Sequence, residues 1–324
     1  KDVRERLGTQ RKQYALDNGF VVPEPKFTDS KDLPGSDYEV LIFGSRVGGG
    51  TLRFDKIMAI NPGGKRPTIE GESAKEPTYG LPAVWINEEQ SAFARSAGYT
   101  LVDPDTILIT HFGELMAQFA PELLTRSQTE NLIDRLRPAC ESLIDELVPN
   151  VLAYSDIQQV LQNLLKEKVS IRNLEQILEV LVDKGKEIKD AATLTELVRQ
   201  KLGRSICQGL TTKSGELTVL TFDAMLERTL INASGGSSAG QFMMDPQVTD
   251  SLLRALIQQC EKMMANNLLP VLLCSAQIRR QVKLFADRVM PHLAVISLTE
   301  VPTTAKVKSF AVVNIENLKE MVGD

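Results

Sequence analysis

The chain has 324 residues, 43% hydrophobic and 24% charged, a balance that excludes a disordered or fibrous polymer and predicts two to four folded units. Lys and Arg number 37 against 42 Asp and Glu, so the net charge of −5 argues against general nucleic-acid binding, and an aromatic content of 5% argues against base-stacking surfaces. Four scattered Cys (Cys140, Cys207, Cys260, Cys274) with no C-x-x-C fit a reducing compartment, and two isolated His do not suit a zinc site.

Residues 1–19 read as a linker or a marginal amphipathic helix stopping at Asn18-Gly19. Tyr38–Phe43 is β-rich. The run Gly44-Ser-Arg-Val-Gly-Gly-Gly50 then has the glycine spacing of a P-loop, but Gly50 stands where its Lys should be, so a flexible hairpin connection is the expected reading. Ile57–Ile60 is a short strand closed by Asn61-Pro-Gly-Gly64, followed by a polar loop to Glu76 and a strand over 82–86. Asn87 opens a helix ending at Gly98, Tyr99–Val102 is a strand, and Asp103-Pro104 starts a helix to about Phe119.

From about 121 to 208 the 3.6-residue period dominates. One stripe runs from Leu132 to Leu147 behind a capping box at Ser127–Glu130, and three more helices open at Ser155, Ser170 and Thr193. Beyond 213 strands and helices alternate: strands at 217–221, 270–274, 294–298 and 307–315, helices at 222–233, 246–265 and 276–290, and a Gly/Ser loop at 234–240. This order predicts an open, partly parallel sheet. The fold class expected is mixed α+β, with small α/β units flanking an all-helical subdomain.

No stretch approaches the length needed to span a bilayer. The chain starts with Lys and reads as a piece of a longer protein, which leaves room for a membrane part outside it. His111 with Glu114 is a candidate acid/base pair for a soluble hydrolase, although a structural or surface histidine is the preferred reading and no nucleophile motif accompanies it. His292 is expected in solvent, and the cysteines are expected to be buried, inert thiols. No catalytic residue, metal site or cofactor is assigned, which points to a binding role. The segment Glu76-Pro-Thr-Tyr-Gly-Leu-Pro-Ala-Val-Trp-Ile86 is the candidate surface, because prolines stiffen a loop that carries aromatics. Trp85 reads as core. Tyr79 reads equally as core or as a partner contact.

That segment, with Ala59-Ile-Asn-Pro-Gly63, Gly98-Tyr-Thr-Leu-Val-Asp103, Thr110-His111, Glu146-Leu-Val-Pro149, Val160–Arg172 and Leu202-Gly-Arg204, resembles the cytoplasmic part of the FlhA/InvA family of type III export gates. Gly80-Leu-Pro-Ala83 favours the flagellar branch over the virulence injectisome branch, which stands as the alternative. The resemblance implies the cytoplasmic domain of a bacterial inner-membrane protein, a nine-fold ring below a membrane pore, and docking of export chaperones with their substrates alongside other export-apparatus proteins. It implies four subdomains after the 1–19 linker: 20–54 with 104–123, an inserted 55–103, a helical 124–205 and a C-terminal 206–324. It implies a chaperone-binding cleft at Glu76, Tyr79 and Thr110, with Pro62, Val102 and Ile109 lining it. The family motif Asp-Pro-x-Phe becomes Glu76-Pro-Thr-Tyr79 here, which moves the charge one methylene outward and adds a hydroxyl.

Overall fold

The computed structural model describes residues 3–235, 242–316 and 318, and the chain divides into two compact units. The first comprises residues up to Arg135 together with Leu161–Leu174; the second comprises Leu136–Val160 and the chain from Glu175 onward.

In the first unit the N-terminal stretch is a regular helix, α1 (Val3–Asn18), that buries only Leu7. Polar ties hold it. Arg6 donates to the Thr106 hydroxyl at 3.0 Å, Arg11 to the Val22 carbonyl at 2.7 Å, and the Asn18 carbonyl accepts from Ile171 N–H. Gly19 follows at φ +77°, where a Cβ would lie 2.5 Å from the Arg172 Cα, so only glycine fits.

β1 (Asp37–Ile42) and β2 (Ser45–Thr51) form an antiparallel hairpin closed by Phe43-Gly44, both at positive φ. Of the glycine run, Gly44 belongs to the hairpin connection, whereas Ser45 to Gly50 form a strand and not a flexible loop. Its glycines are there for close packing: a Cβ on Gly48 would meet the Leu115 side chain at 2.5 Å, one on Gly49 the Tyr38 carbonyl at 2.7 Å, and one on Gly50 the Tyr38 ring at 3.1 Å.

A second sheet holds β3 (Ile57–Ile60), β4 (Glu72–Lys75), β5 (Pro82–Ile86) and β6 (Thr100–Val102) in the antiparallel order β4-β5-β3-β6. β4 lies in the expected polar loop. Its side chains are mostly exposed at a sheet edge, so the residues carry no apolar alternation. After a short 3₁₀ turn at Glu88–Gln90 comes α2 (Ser91–Ser96), and after β6 comes α3 (Pro104–Leu123), capped by Asp103 through a bond from Thr106 N–H. Alternation sends Met58 and Trp85 into a cluster with Leu52, Ala83 and Ile107, while Ala59 and Ile86 pack on the other face with Ile69 and Ala94. Trp85 is core, as the sequence suggests.

The unit division falls within α4 (Arg126–Leu147) and α5 (Tyr154–Lys166). α4 is capped by Thr125, whose hydroxyl accepts from Gln128 N–H, two residues before the expected box, and it leaves helical geometry at Cys140, two residues after Pro138.

The second unit continues with α6 (Leu174–Gly185), α7 (Ala191–Lys201) and α8 (Gly203–Leu210). The Ser170 hydroxyl donates to the Asp17 carbonyl within the first unit, so α6 starts later than Ser170. Asp190, not Thr193, caps α7. There follow β7 (Glu216–Phe222), α9 (Ala224–Ala233), α10 (Pro246–Ala265), β8 (Val271–Cys274), α11 (Arg279–Asp287), β9 (Ala294–Ser297) and β10 (Lys306–Val313). The expected loop beyond Gly235 lies outside the described residues.

The sheet is wholly parallel, in the order β10-β7-β8-β9. Both faces are covered. Leu220, Leu256 and Leu272 share one core, Leu217, Val219 and Val271 the other, which is why β8 reads as an unbroken apolar run. At the β9 edge the Val295 carbonyl accepts from the buried guanidiniums of Arg279 (3.1 Å) and Arg199 (3.3 Å). Arg279 is held by Glu196 through two bonds of 2.6 and 2.5 Å, and Arg199 by Glu300 at 2.7 Å. Paired arginines thus satisfy an edge carbonyl that a further strand would otherwise take.

Candidate functional site

The turn joining β4 to β5 is a single helical turn with a complete set of end groups. Glu76 occupies its N-cap, Pro77 its first position, and Gly80 its exit at φ +69°. The Glu76 carboxylate accepts from Thr78 N–H through one oxygen and from Tyr79 N–H through the other, both at 2.7 Å. Its backbone closes the loop as well: Glu76 N–H donates to the Leu81 carbonyl at 2.8 Å, and Gly80 N–H to the Glu76 carbonyl at 2.9 Å. Glu76 is consequently buried at 5% exposure. The motif comparison suggests a charge moved outward by one methylene; the carboxylate instead lies against the N–H groups of its own turn.

That turn presents Tyr79 with 57% of its surface exposed. The remaining burial, and the negative charges of Glu114 and Glu76, raise its phenol above the ordinary value of 10.0. Glu114 lies on α3 and pairs with Lys168 at 3.3 Å, so Tyr79 sits within electrostatic reach of that helix.

His111, on α3, is buried rather than at the surface. Its Nδ1 lies 2.6 Å from the Tyr38 hydroxyl, with the rings edge-on. Burial lowers the imidazole below 6.5, opposed by the Glu76 carboxylate, while burial and Glu76 both push the Tyr38 phenol up. Tyr38 and His111 thus share one short hydrogen bond, whose donor is set by the imidazole tautomer. Tyr38 is the residue that sequence reasoning missed. The available signal was the glycine run opposite it, since consecutive glycines in a strand mark close approach by another group.

The other expected residues are spread along the same unit. Thr110 is exposed on α3, and Ile109 is half-buried beside it. Val102 on β6 is half-buried against the Met58 and Ile107 cluster. Pro62 is exposed in the turn after β3, where the Asn61 side chain accepts from Gly63 N–H. Register brings that turn to the same end of the sheet as the Glu76 turn, because Asn61 N–H donates to the Pro82 carbonyl. The structure thus groups Glu76 and Tyr79 with His111 and Glu114 of α3, and aligns Pro62 with them along one sheet end.

His292 is exposed. Burial raises the thiol of Cys274 to about 12 and those of Cys207 and Cys260 to about 11, so they stay protonated. Among the described residues, no group of three or more His, Cys, Asp or Glu is placed to hold a metal ion, and no helix is long and apolar enough to cross a membrane.

The nonameric EscV cytosolic domain from the type III secretion system has the same fold, superposing with a TM-score of 0.73 at 23% identity and covering 97% of this chain and 92% of that one. The Chlamydia pneumoniae CdsV protein superposes with a TM-score of 0.78 at 22% identity, covering 95% of this chain and 90% of that one. The nonameric SctV C-terminal domain of EPEC superposes with a TM-score of 0.77 at 23% identity, covering 97% and 94%. In sequence, the flagellar biosynthesis protein FlhA of Bacillus subtilis is 36% identical over 315 residues, 97% of this chain and 46% of that protein, so the chain spans under half the length of this relative. The chain belongs to the FHIPEP family, whose model matches residues 1–306.

Proposed function

We propose that this chain is the cytoplasmic docking platform of a flagellar type III export gate, which receives chaperone–substrate complexes and assembles as a ring beneath a membrane pore. Family membership and the flagellar relative support the export-gate reading, and the nonameric EPEC structure of the same fold supports a ring. One observation carries the docking reading: Glu76 spends its carboxylate on immobilising a turn whose only large exposed side chain is Tyr79. A rigid, exposed aromatic on a preformed turn loses little entropy on binding, which suits it to anchor an apolar chaperone helix or tail.

Thr110, Ile109, Val102 and Pro62 extend the surface around that anchor in this reading. The four-subdomain division, with boundaries near 54, 103, 123 and 205, belongs to the same proposal. The chain acts by binding rather than by making or breaking bonds. Against a hydrolase at His111 stands the engagement of Nδ1 of this buried histidine by the half-buried Tyr38.

The test is titration of flagellar chaperone–substrate complexes against wild type and Tyr79→Ala. The expected loss is about 2 kcal/mol, roughly 30-fold in Kd, with thermal stability held. Equal affinity of the variant removes the site. Failure of the wild type to bind any such complex removes the docking reading.

A further inference from the structure

We infer that His111 makes the Glu76 turn respond to pH, so that acidification below neutrality loosens the turn and weakens docking. The inference rests on the docking reading above and adds a regulator to that same site. Three groups meet in one layer of the first unit. The β4–β5 ladder runs one step past β4, because Glu76 N–H donates to the Leu81 carbonyl at 2.8 Å. Glu76 therefore falls on the same sheet face as Ala74, which packs on the cluster of Trp85 and Ile107. His111 stands one helical turn beyond Ile107 on the same face of α3, and Tyr38 packs on that cluster as well. The imidazole, the phenol and the buried carboxylate are thus neighbours, and the Glu76 charge acts on both rings.

The layer is shaped around the two rings. A Cβ on Gly48 would lie 3.3 Å from the imidazole Cε1, and one on Gly50 3.1 Å from the Tyr38 hydroxyl oxygen. Consecutive glycines weaken a strand, and here they make room for a tyrosine and a histidine. Two apolar side chains would fill the same space with no polar atom to satisfy. The pair instead sets a group that titrates in the physiological range beside a buried anion. Around the imidazole, β1 brings Tyr38, β2 brings Gly48, its own helix brings Leu115, and the β4–β5 turn brings Glu76. Among the described residues, Glu76 is the charge that acts on it, while Glu114, three residues on, is paired with Lys168. Burial opposes charging the ring more strongly than Glu76 favours it. As pH falls, the proton is therefore taken up by an opened layer in which the ring meets water. The same water reaches the Glu76 carboxylate and competes for the Thr78 and Tyr79 N–H groups that hold the turn.

The chain has two histidines, so an NMR titration of the imidazoles follows His111 once His292→Gln has assigned the other signal. Amide exchange at Thr78 and Tyr79, corrected for its intrinsic pH dependence, is measured without any partner from about pH 7.5 to 5.5. The affinity of flagellar chaperone–substrate complexes is titrated over the same range. In wild type, exchange is expected to quicken at least about threefold across the range and by no more than about tenfold per pH unit. Its midpoint should coincide with that of His111, and affinity should fall alongside. His111→Gln is expected to abolish the step. Glu76→Gln removes the charge that favours the imidazolium, so the His111 midpoint should move to lower pH; this arm decides the matter if His111→Gln does not fold. The inference is overturned by a step that survives in His111→Gln, by a His111 that titrates while both amides and the affinity stay constant, or by a His111 midpoint unmoved in Glu76→Gln. A turn that responds to pH in a wild type that binds no chaperone complex overturns the docking reading and leaves the pH response standing.

Discussion

Replacing Glu76 tests whether the turn, rather than Tyr79 alone, makes the docking surface. Glu76→Ala removes the acceptor of two backbone N–H groups at 2.7 Å. Hydrogen bonds to a charged acceptor contribute about 1.5–3 kcal/mol each when no water replaces them. Here Thr78 is half-buried and Tyr79 exposed, so water recovers part of each bond. The expected cost is about 2 kcal/mol in total, felt mainly as local opening of residues 76–81. Glu76→Gln keeps one acceptor oxygen and is expected to lose about half as much. Glu76→Asp is expected to remain near wild type, since Asp223 of this same chain caps α9 through bonds from Met225 and Leu226 N–H at 2.9 and 3.4 Å. Amide hydrogen exchange at Thr78, Tyr79 and Gly80 reads the effect directly: about 30-fold faster in the alanine variant, with Asp, Gln and Ala in rising order. Chaperone affinity should fall in that order although Tyr79 is intact. Unchanged protection of Thr78 and Tyr79 in Glu76→Ala would refute the reasoning, because the carboxylate would then not be what holds the turn.

Two further outcomes test the packing. His111 is held below 6.5 in the folded chain, so the unfolded chain binds the extra proton first as pH falls, and the stability tied to the neutral imidazole is complete above 6.5 and declines below it. The urea midpoint should drop between pH 7.5 and 5.5 by more in wild type than in His111→Gln, with a slope of at most about 1.4 kcal/mol per pH unit; equal drops would remove His111 as the cause. Gly203 and Gly209 share α8 yet differ in surroundings: a Cβ at Gly203 would lie 2.1 Å from the Glu300 carbonyl oxygen, whereas nothing lies within 4 Å of one at Gly209. Gly203→Ala should destabilise by about 3 kcal/mol or more and Gly209→Ala should stabilise by roughly 0.5 kcal/mol in denaturant unfolding, and equal effects would contradict the packing.

The sequence by itself determined features whose causes lie within a few residues. Asp103-Pro104 starts α3 because a carboxylate three residues from Thr106 N–H can cap it and proline needs no donor there. Pro246 and the apolar stripe behind it set α10 over the span expected of it, and the continuous apolar run of β8 reported its burial on both faces. The Glu76–Ile86 segment, with the other matching segments, identified the family, while the exposure of Tyr79, which read equally as core or partner contact, was left to the fold.

Tertiary structure decided everything that depends on residues distant along the chain. Tyr38 and His111 are 73 positions apart, and no local pattern announces their bond. The glycines at 48–50 looked like a loop because the Leu115 side chain and the Tyr38 ring that require them are not neighbours in sequence. Thr125 and Asp190 took the caps of α4 and α7 from nearby residues of the right type, because several hydroxyls and carboxylates compete for the same N–H groups and the packed helix ends choose among them. Glu76 shows the division most clearly. Its charge and position were legible, but whether a carboxylate faces a partner or its own backbone depends on which N–H groups the folded turn brings within reach.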